Sequence, residues 1–241
     1  MTSTPSVNRP SLFWGGPILA ELVIALLPLI FFAIIFNQLP DRIAVHFDGD
    51  GIANRYAAKD SLDAFVLAGI GLTGFVTARL LRIICMLISR GKQAGNDAAA
   101  SRMITCIELF IIITFSFIGL YGLNHARSAS DVLDDGLLTR AIFVGVNLLF
   151  MFMGNICPKL RFNSCFGIKT PGSLASKPAW NKVQRTGGRI LFWGGLFNII
   201  VTCLPFISTE AVRNFHYVFI ILLVIALLAY RPKDGSEAPH S

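Results

Sequence analysis

Charge is scarce in this 241-residue sequence: 15% of its residues are charged against 54% hydrophobic, and mean hydropathy is +0.64. A soluble domain of this length needs more polar surface, so the composition excludes that class and indicates an integral membrane protein. Cysteine is scarce as well. The five present, Cys85, Cys106, Cys157, Cys165 and Cys203, are odd in number and fall in apolar runs or on the side assigned below to the cytosol, so a disulfide framework is not expected. Their spacings fit no zinc pattern, and Cys157 and Cys165 have no nearby His, so neither a metal site nor a cofactor is expected. A cleaved secretory leader is not expected either. The first apolar run is too long, contains Glu21 and offers no small-residue cleavage site.

What the sequence does have is length of apolar run. Six windows reach the roughly 20 residues that a helix needs to cross a hydrocarbon core of ~30 Å. They lie at 15–36, 63–87, 103–123, 137–157, 189–207 and 213–230. Fifteen of the 21 Lys and Arg residues then share one side of the membrane: Arg9, Arg79, Arg82, Arg90, Lys92, Arg102, the seven from Lys159 to Arg189, Arg231 and Lys233. The positive-inside rule makes that side cytoplasmic. The other side carries acidic loops with Asp41, Asp48, Asp50, Asp60, Asp131, Asp134 and Asp135. The expected fold is therefore an all-α polytopic bundle of six transmembrane helices, with both termini inside. It has a structured external loop at 37–61 and a structured cytoplasmic loop at 154–189, in two membrane regions, 1–130 and 131–241. Trp14 and Trp193 both begin helices at the inner headgroup level. The net charge of +7 sits in juxtamembrane loops, where anionic lipid rather than nucleic acid is the expected partner.

Four ionisable residues interrupt the apolar runs: Glu21 in the first, Arg79 and Arg82 in the second, Glu108 in the third. Charge inside a span is costly and turns toward the bundle interior, so these residues are expected to form one cluster joining three helices. The cluster reads either as a proton- or ion-sensitive site or as structural pairing, with the arginines snorkelling to the headgroups. Asn147 and Asn198 read as an interhelical hydrogen bond. Pro28 removes a backbone hydrogen bond in the first helix and should bend it.

Two polar loops stand out. In the external one, Ile43, Val45 and Phe47 alternate with smaller or polar residues, as in a short strand, and Asp48-Gly49-Asp50-Gly51 supplies a tight turn. Asp48, Asp50 and Asn54 lack the Glu that closes an EF-hand loop, so calcium is not the preferred reading. His46 with Asp41 or Asp48 has no nucleophile pattern beside it, so a structured cap is favoured over catalysis. The cytoplasmic loop, Pro158 to Arg189, has seven basic and no acidic residues, yet also Phe162, Phe166, Ile168, Leu174 and Trp180. Aromatics among turn residues argue for a folded loop. Trp180 to Arg185 reads as one or two turns of amphipathic helix lying on the membrane. Asn155, Lys159, Arg161, Asn163, Lys169, Thr170 and Trp180 are expected to converge on one pocket for an anionic group, a lipid phosphate or a partner's carboxylate.

The order Gly154, Asn155, Pro158, Lys159, Asn163, Gly167, Ile168, Lys169, Thr170, Pro171, Trp180, Arg185 resembles the signature of the SdpI family of bacterial immunity proteins. Leu39-Pro40, Ile43, Val45-His46-Phe47, Gly51 and Lys59 are similar to the domain of unknown function that precedes it in many SdpI-like proteins. Cys157, Gly172 and Gln184 depart from the pattern, standing where the family has Met, Trp and His. The resemblance implies a multi-pass protein of the bacterial cytoplasmic membrane that protects a cell from a secreted antimicrobial peptide toxin. In the archetype the toxin-bound protein also captures a cytosolic repressor. Two other readings compete: a small-solute or ion transporter or channel, suggested by the intramembrane charges, and a membrane enzyme acting on lipid or envelope intermediates. No inverted repeat supports the first of these, and no nucleophile–base pair supports the second. Binding without turnover is the preferred reading.

Overall fold

The computed structural model describes residues 18–48, 51–89, 97–128, 132–133, 135–163 and 166–229. Trp14, Asp50, Asp131, Asp134, Cys165, Arg9, Arg90, Lys92, Arg231 and Lys233 lie outside the described residues. Among the described residues eight α-helices and one hairpin follow in the order α1 (Ile18–Ile35), β1 (Arg42–Phe47), β2 (Ala53–Ala58), α2 (Leu62–Ala68), α3 (Ile70–Ser89), α4 (Asp97–Arg127), α5 (Asp135–Ile156), α6 (Pro171–Leu174), α7 (Lys177–Cys203) and α8 (Thr209–Ala229).

Five of these helices are long and apolar enough to cross a membrane, over Ile18–Gln38, Ile70–Ile88, Ala98–Arg127, Gly136–Lys159 and Thr209–Ala226. The chain is thus a multi-pass helical membrane protein. The segment expected as a fifth of six spans belongs to α7, whose 27 residues begin well before 189 and include Lys177, Lys182, Arg185 and Arg189. Even its most apolar stretch, from 186 to 203, holds Arg189, Asn198 and four glycines, so α7 does not meet the same standard. The second apolar window is divided at Gly69 into α2 and α3, and the third extends in both directions into the 31-residue α4.

The helices pack as two sets that meet along α4 and α5. On one side α1, α3 and α4 pack together around Ala25, Ala78 and Ile112. Pro28 lies on the buried face of α1, where a Cβ on Gly119 of α4 would come within 3.0 Å of its ring. On the other side α5 packs against α7 and α8. The backbones of α5 and α7 approach closely: a Cβ on Gly188 would lie 2.6 Å from the Gly154 carbonyl oxygen, and one on Gly154 2.5 Å from that of Gly188. Small residues at a membrane helix crossing permit this contact, and dispersion gained over the backbone replaces the hydrophobic drive that lipid removes.

The two ends of the bundle are capped differently. At one end the antiparallel hairpin β1–β2 sits over α1, α2 and α4, with Ile43 buried against Phe32, Ile35, Leu39, Ala64 and Leu123. The all-α expectation is corrected here by a two-stranded sheet, of which only the first strand was legible. At the other end Ala99 and Met103 of α4 pack with Cys157, Leu160 and Trp180. Ala99 and Leu123 lie 24 residues apart on one helix, about 36 Å at 1.5 Å per residue, which separates the two caps by more than a hydrocarbon core.

Candidate functional site

The four intramembrane charges come together. Arg82 of α3 clamps Glu108 of α4 with two donors, Nε to Oε1 at 2.7 Å and Nη2 to Oε2. Its Nη2 also donates to Thr105 Oγ1 at 2.8 Å. Arg79 pairs with Glu21 of α1 and lies 3.5 Å from Glu108. Glu21 and Glu108 are fully buried and Arg82 nearly so. Two guanidinium groups thus face two carboxylates, and the bidentate geometry is the one in which Arg is strongest.

The signature segment is an ordered loop built around Trp180. The indole Nε1 donates to the Leu160 carbonyl at 2.9 Å, and the ring is wholly buried with Phe162 edge-on at 5.7 Å. Gln184 holds the opposite strand of the loop by both ends of its amide: Oε1 accepts from Ile168 N–H at 3.0 Å and Nε2 donates to the Ile168 carbonyl at 2.8 Å. Gly167 is needed beside it. Its φ is +106°, and a Cβ there would lie 2.8 Å from Gln184 Oε1. Asn163 donates to the Arg161 carbonyl and accepts from Phe166 N–H, both at 2.7 Å. Thr170 and Ser173 form a capping box that starts α6, with Pro171 in its first turn. Ser176 caps α7 by accepting from Ala179 N–H. Trp180 to Arg185 is therefore the first part of a long helix, not a separate helix lying on the membrane.

The expected single pocket divides accordingly. Asn163, Thr170 and Trp180 direct their polar groups into the loop itself. Arg161, Lys169 and Arg185 are exposed, and Pro158 packs against Gly188. Asn155 and Lys159 line a cavity of about 360 Å³, whose other wall is α4 through Ser101, Arg102 and Thr105. Lys159 Nζ donates to Asn155 Oδ1 at 3.3 Å. Ser101 and Thr105 had no signal of their own in the sequence. Arg102 was read only as a topological charge.

At the hairpin, His46 Nδ1 lies 2.6 Å from Asn54 Oδ1 rather than against Asp41 or Asp48. Asp48 shapes the turn: its Oδ1 accepts from Ile52 N–H at 2.9 Å, and Gly51 takes a φ of +76°. Gly51 in turn accepts from Leu133 N–H, which ties the segment before α5 to the hairpin. Lys59 closes the base, 3.3 Å from Asp41 and donating to the Leu39 carbonyl at 3.1 Å. These residues build the cap.

A second buried polar group went unread. His216 of α8 is 1% exposed, stacks on Phe143 at 4.2 Å and lies 2.7 Å from Asn147 Nδ2. Asn147 and Asn198 each donate to the carbonyl four residues back in their own helix, not to one another. Arg140 of α5 reaches the end of α7 and donates to the carbonyls of Thr202, Leu204 and Ile207. The Thr202 carbonyl is one of those that a helix terminus leaves unpaired, and the other two lie in the turn that follows α7. A histidine inside an apolar run carries the same warning as Glu21.

These features define a multi-pass membrane protein with a folded basic loop at one end and a hairpin cap at the other. Residues 159–231 match the SdpI/YfhL protein family, and residues 23–72 match a domain of unknown function, DUF1648. The chain thus carries an SdpI/YfhL region preceded by a DUF1648 region. No curated protein and no solved structure shows significant similarity to it.

Proposed function

We propose that this is an immunity protein of the bacterial cytoplasmic membrane, binding without turnover and giving resistance to a secreted antimicrobial peptide toxin. In this reading the chain crosses six times, α7 included, with both termini and the signature loop inside. The observation that carries it is the SdpI/YfhL match over residues 159–231, which contains Trp180, Gln184 and the loop they hold. Acidic external loops attract a cationic peptide. The basic inner loop offers a docking surface for a partner such as a repressor. Signalling between them requires two states to which the two ligands bind unequally. The self-neutralised ionic cluster gives no support to the transporter reading.

The test is survival of a sensitive bacterium expressing the gene, challenged with a panel of secreted peptide toxins. Protection against at least one is expected. Alanine at Lys159 should remove that protection with membrane abundance near normal, while alanine at Lys177 or Lys182 should be mild. Sensitivity to every toxin in cells with normal membrane abundance would refute the immunity reading, and equal losses at all three lysines would reduce the loop to diffuse positive charge.

A further inference from the structure

The seam between α4 and α5 contains two cavities that share a wall. The larger, about 480 Å³, is apolar and is lined by Phe110, Ile113, Phe117, Gly145 and Leu149 among others. The smaller is the polar cavity beside Arg102 and Lys159. Cys106 and Phe152 line both, so the apolar groove opens at one end onto two cations, two hydroxyls and an amide, with no carboxylate among the described lining residues. Arg102 has no ion-pair partner among the described residues. Thr105 accepts from Arg82, which leaves its own hydroxyl proton to donate.

We infer that this seam is a binding site for one anionic phospholipid, with an acyl chain in the groove and the phosphate between Arg102 and Lys159. The charge pattern selects this occupant. A neutral apolar ligand would fill the groove and leave Arg102 without a counter-charge, whereas a free phosphate would leave the groove empty. Arg presents a fork suited to phosphate oxygens and Lys a point charge, and both lie where a helix end meets headgroups. The site does not depend on the immunity reading, because it is assigned by geometry and needs no toxin.

The experiment is native mass spectrometry of the full-length protein, titrated with phosphatidylglycerol or phosphatidylcholine. Wild-type protein should prefer phosphatidylglycerol by about tenfold or more, as two juxtamembrane cations facing one phosphate imply. Arg102→Ala with Lys159→Ala should bring the preference to about twofold or less, while Arg102→Lys with Lys159→Arg should keep most of it. Gly145→Leu, which fills the groove, should weaken both lipids. Lys182→Ala controls for general charge and should leave the preference intact. Helix content and monodispersity of each variant show that it is folded. Equal affinity for the two lipids, a preference that survives the double alanine change, or an equal loss in Lys182→Ala would each overturn the site. So would full competition by glycerol phosphate, which has the head and no chain.

Discussion

The two helix sets solve the same problem in opposite ways. Where α1, α3 and α4 meet, full charges are buried but matched: Glu21 with Arg79, Glu108 with Arg82 and, at 3.5 Å, with Arg79. Where α5, α7 and α8 meet, the buried polar groups are neutral amides, a hydroxyl and an imidazole; both sets leave some buried atoms without a hydrogen-bond partner, among them Arg79 Nε and Ser116 Oγ in the first and Asn147 Oδ1 and Asn198 Oδ1 in the second. Charge makes the first set specific about which helices pair. The second set relies on backbones in contact at Gly154 and Gly188, and its polar groups mostly bond within their own helix. Cohesion in low dielectric therefore does not require charge, but a set that uses charge is exposed to the loss of one partner.

The largest expected effect breaks the charged set. Glu108→Gln leaves Arg82 buried opposite a neutral amide, and removing one member of a buried pair costs about 3–5 kcal/mol. Membrane abundance and thermal stability should both fall sharply. Combining it with Arg82→Gln should restore part of the loss, since the uncompensated charge is then gone. Purely additive losses in this double-mutant cycle would show that the two side chains are not coupled.

The neutral set should answer to shape before polarity. In Gly188→Ala the new methyl would stand 2.6 Å from the Gly154 carbonyl and 3.0 Å from the Pro158 ring, neither of which moves freely. Overpacking of this kind costs about 1–3 kcal/mol, whereas Asn147→Leu should cost about 1 kcal/mol or less, the usual worth of a hydrogen bond between membrane helices. Thermal denaturation of the two variants in the same detergent tests the order. If Asn147→Leu is the more damaging, the polar network and not the close approach holds α5, α7 and α8 together.

Much of this division was legible. Charges within apolar runs are so costly that Glu21, Arg79, Arg82 and Glu108 were expected to cluster, and they do. The hairpin was half legible: Ile43, Val45 and Phe47 alternate, but Ala53 to Ala58 is Ala-Asn-Arg-Tyr-Ala-Ala, without the β-branched residues that mark a strand. Pairing with β1, not local propensity, makes it one. Two boundaries were hidden for similar reasons. Gly69 ends α2 without interrupting the apolar run, so hydropathy alone does not show the break. Trp180 and its neighbours look amphipathic because one face is covered by the loop, a contact 20 residues back at Leu160. Arg140 read as an external charge since its partners are carbonyls, which leave no trace in a sequence.

The smallest effect sharpens the comparison by moving the same chemistry into water. Asp41 and Lys59 form an ion pair at 3.3 Å, a little shorter than the Arg79–Glu108 separation, but the Asp41 side chain is 98% exposed. Solvent screens such a pair and side-chain entropy offsets most of what remains, so its removal is expected to be hard to detect. Asp41→Asn should leave thermal stability within error of wild type, and raising the salt concentration should change neither protein. Lys59 has more to lose, because its ammonium also donates to the Leu39 carbonyl and sits 5.7 Å from the Phe36 ring centre. Lys59→Ala should therefore lower stability slightly more than Asp41→Asn does, with hydrogen exchange quickening only at the hairpin base. Equal and substantial losses for both would mean that the external pair behaves like the buried one. The contrast between the two helix sets would then owe less to burial than to charge itself.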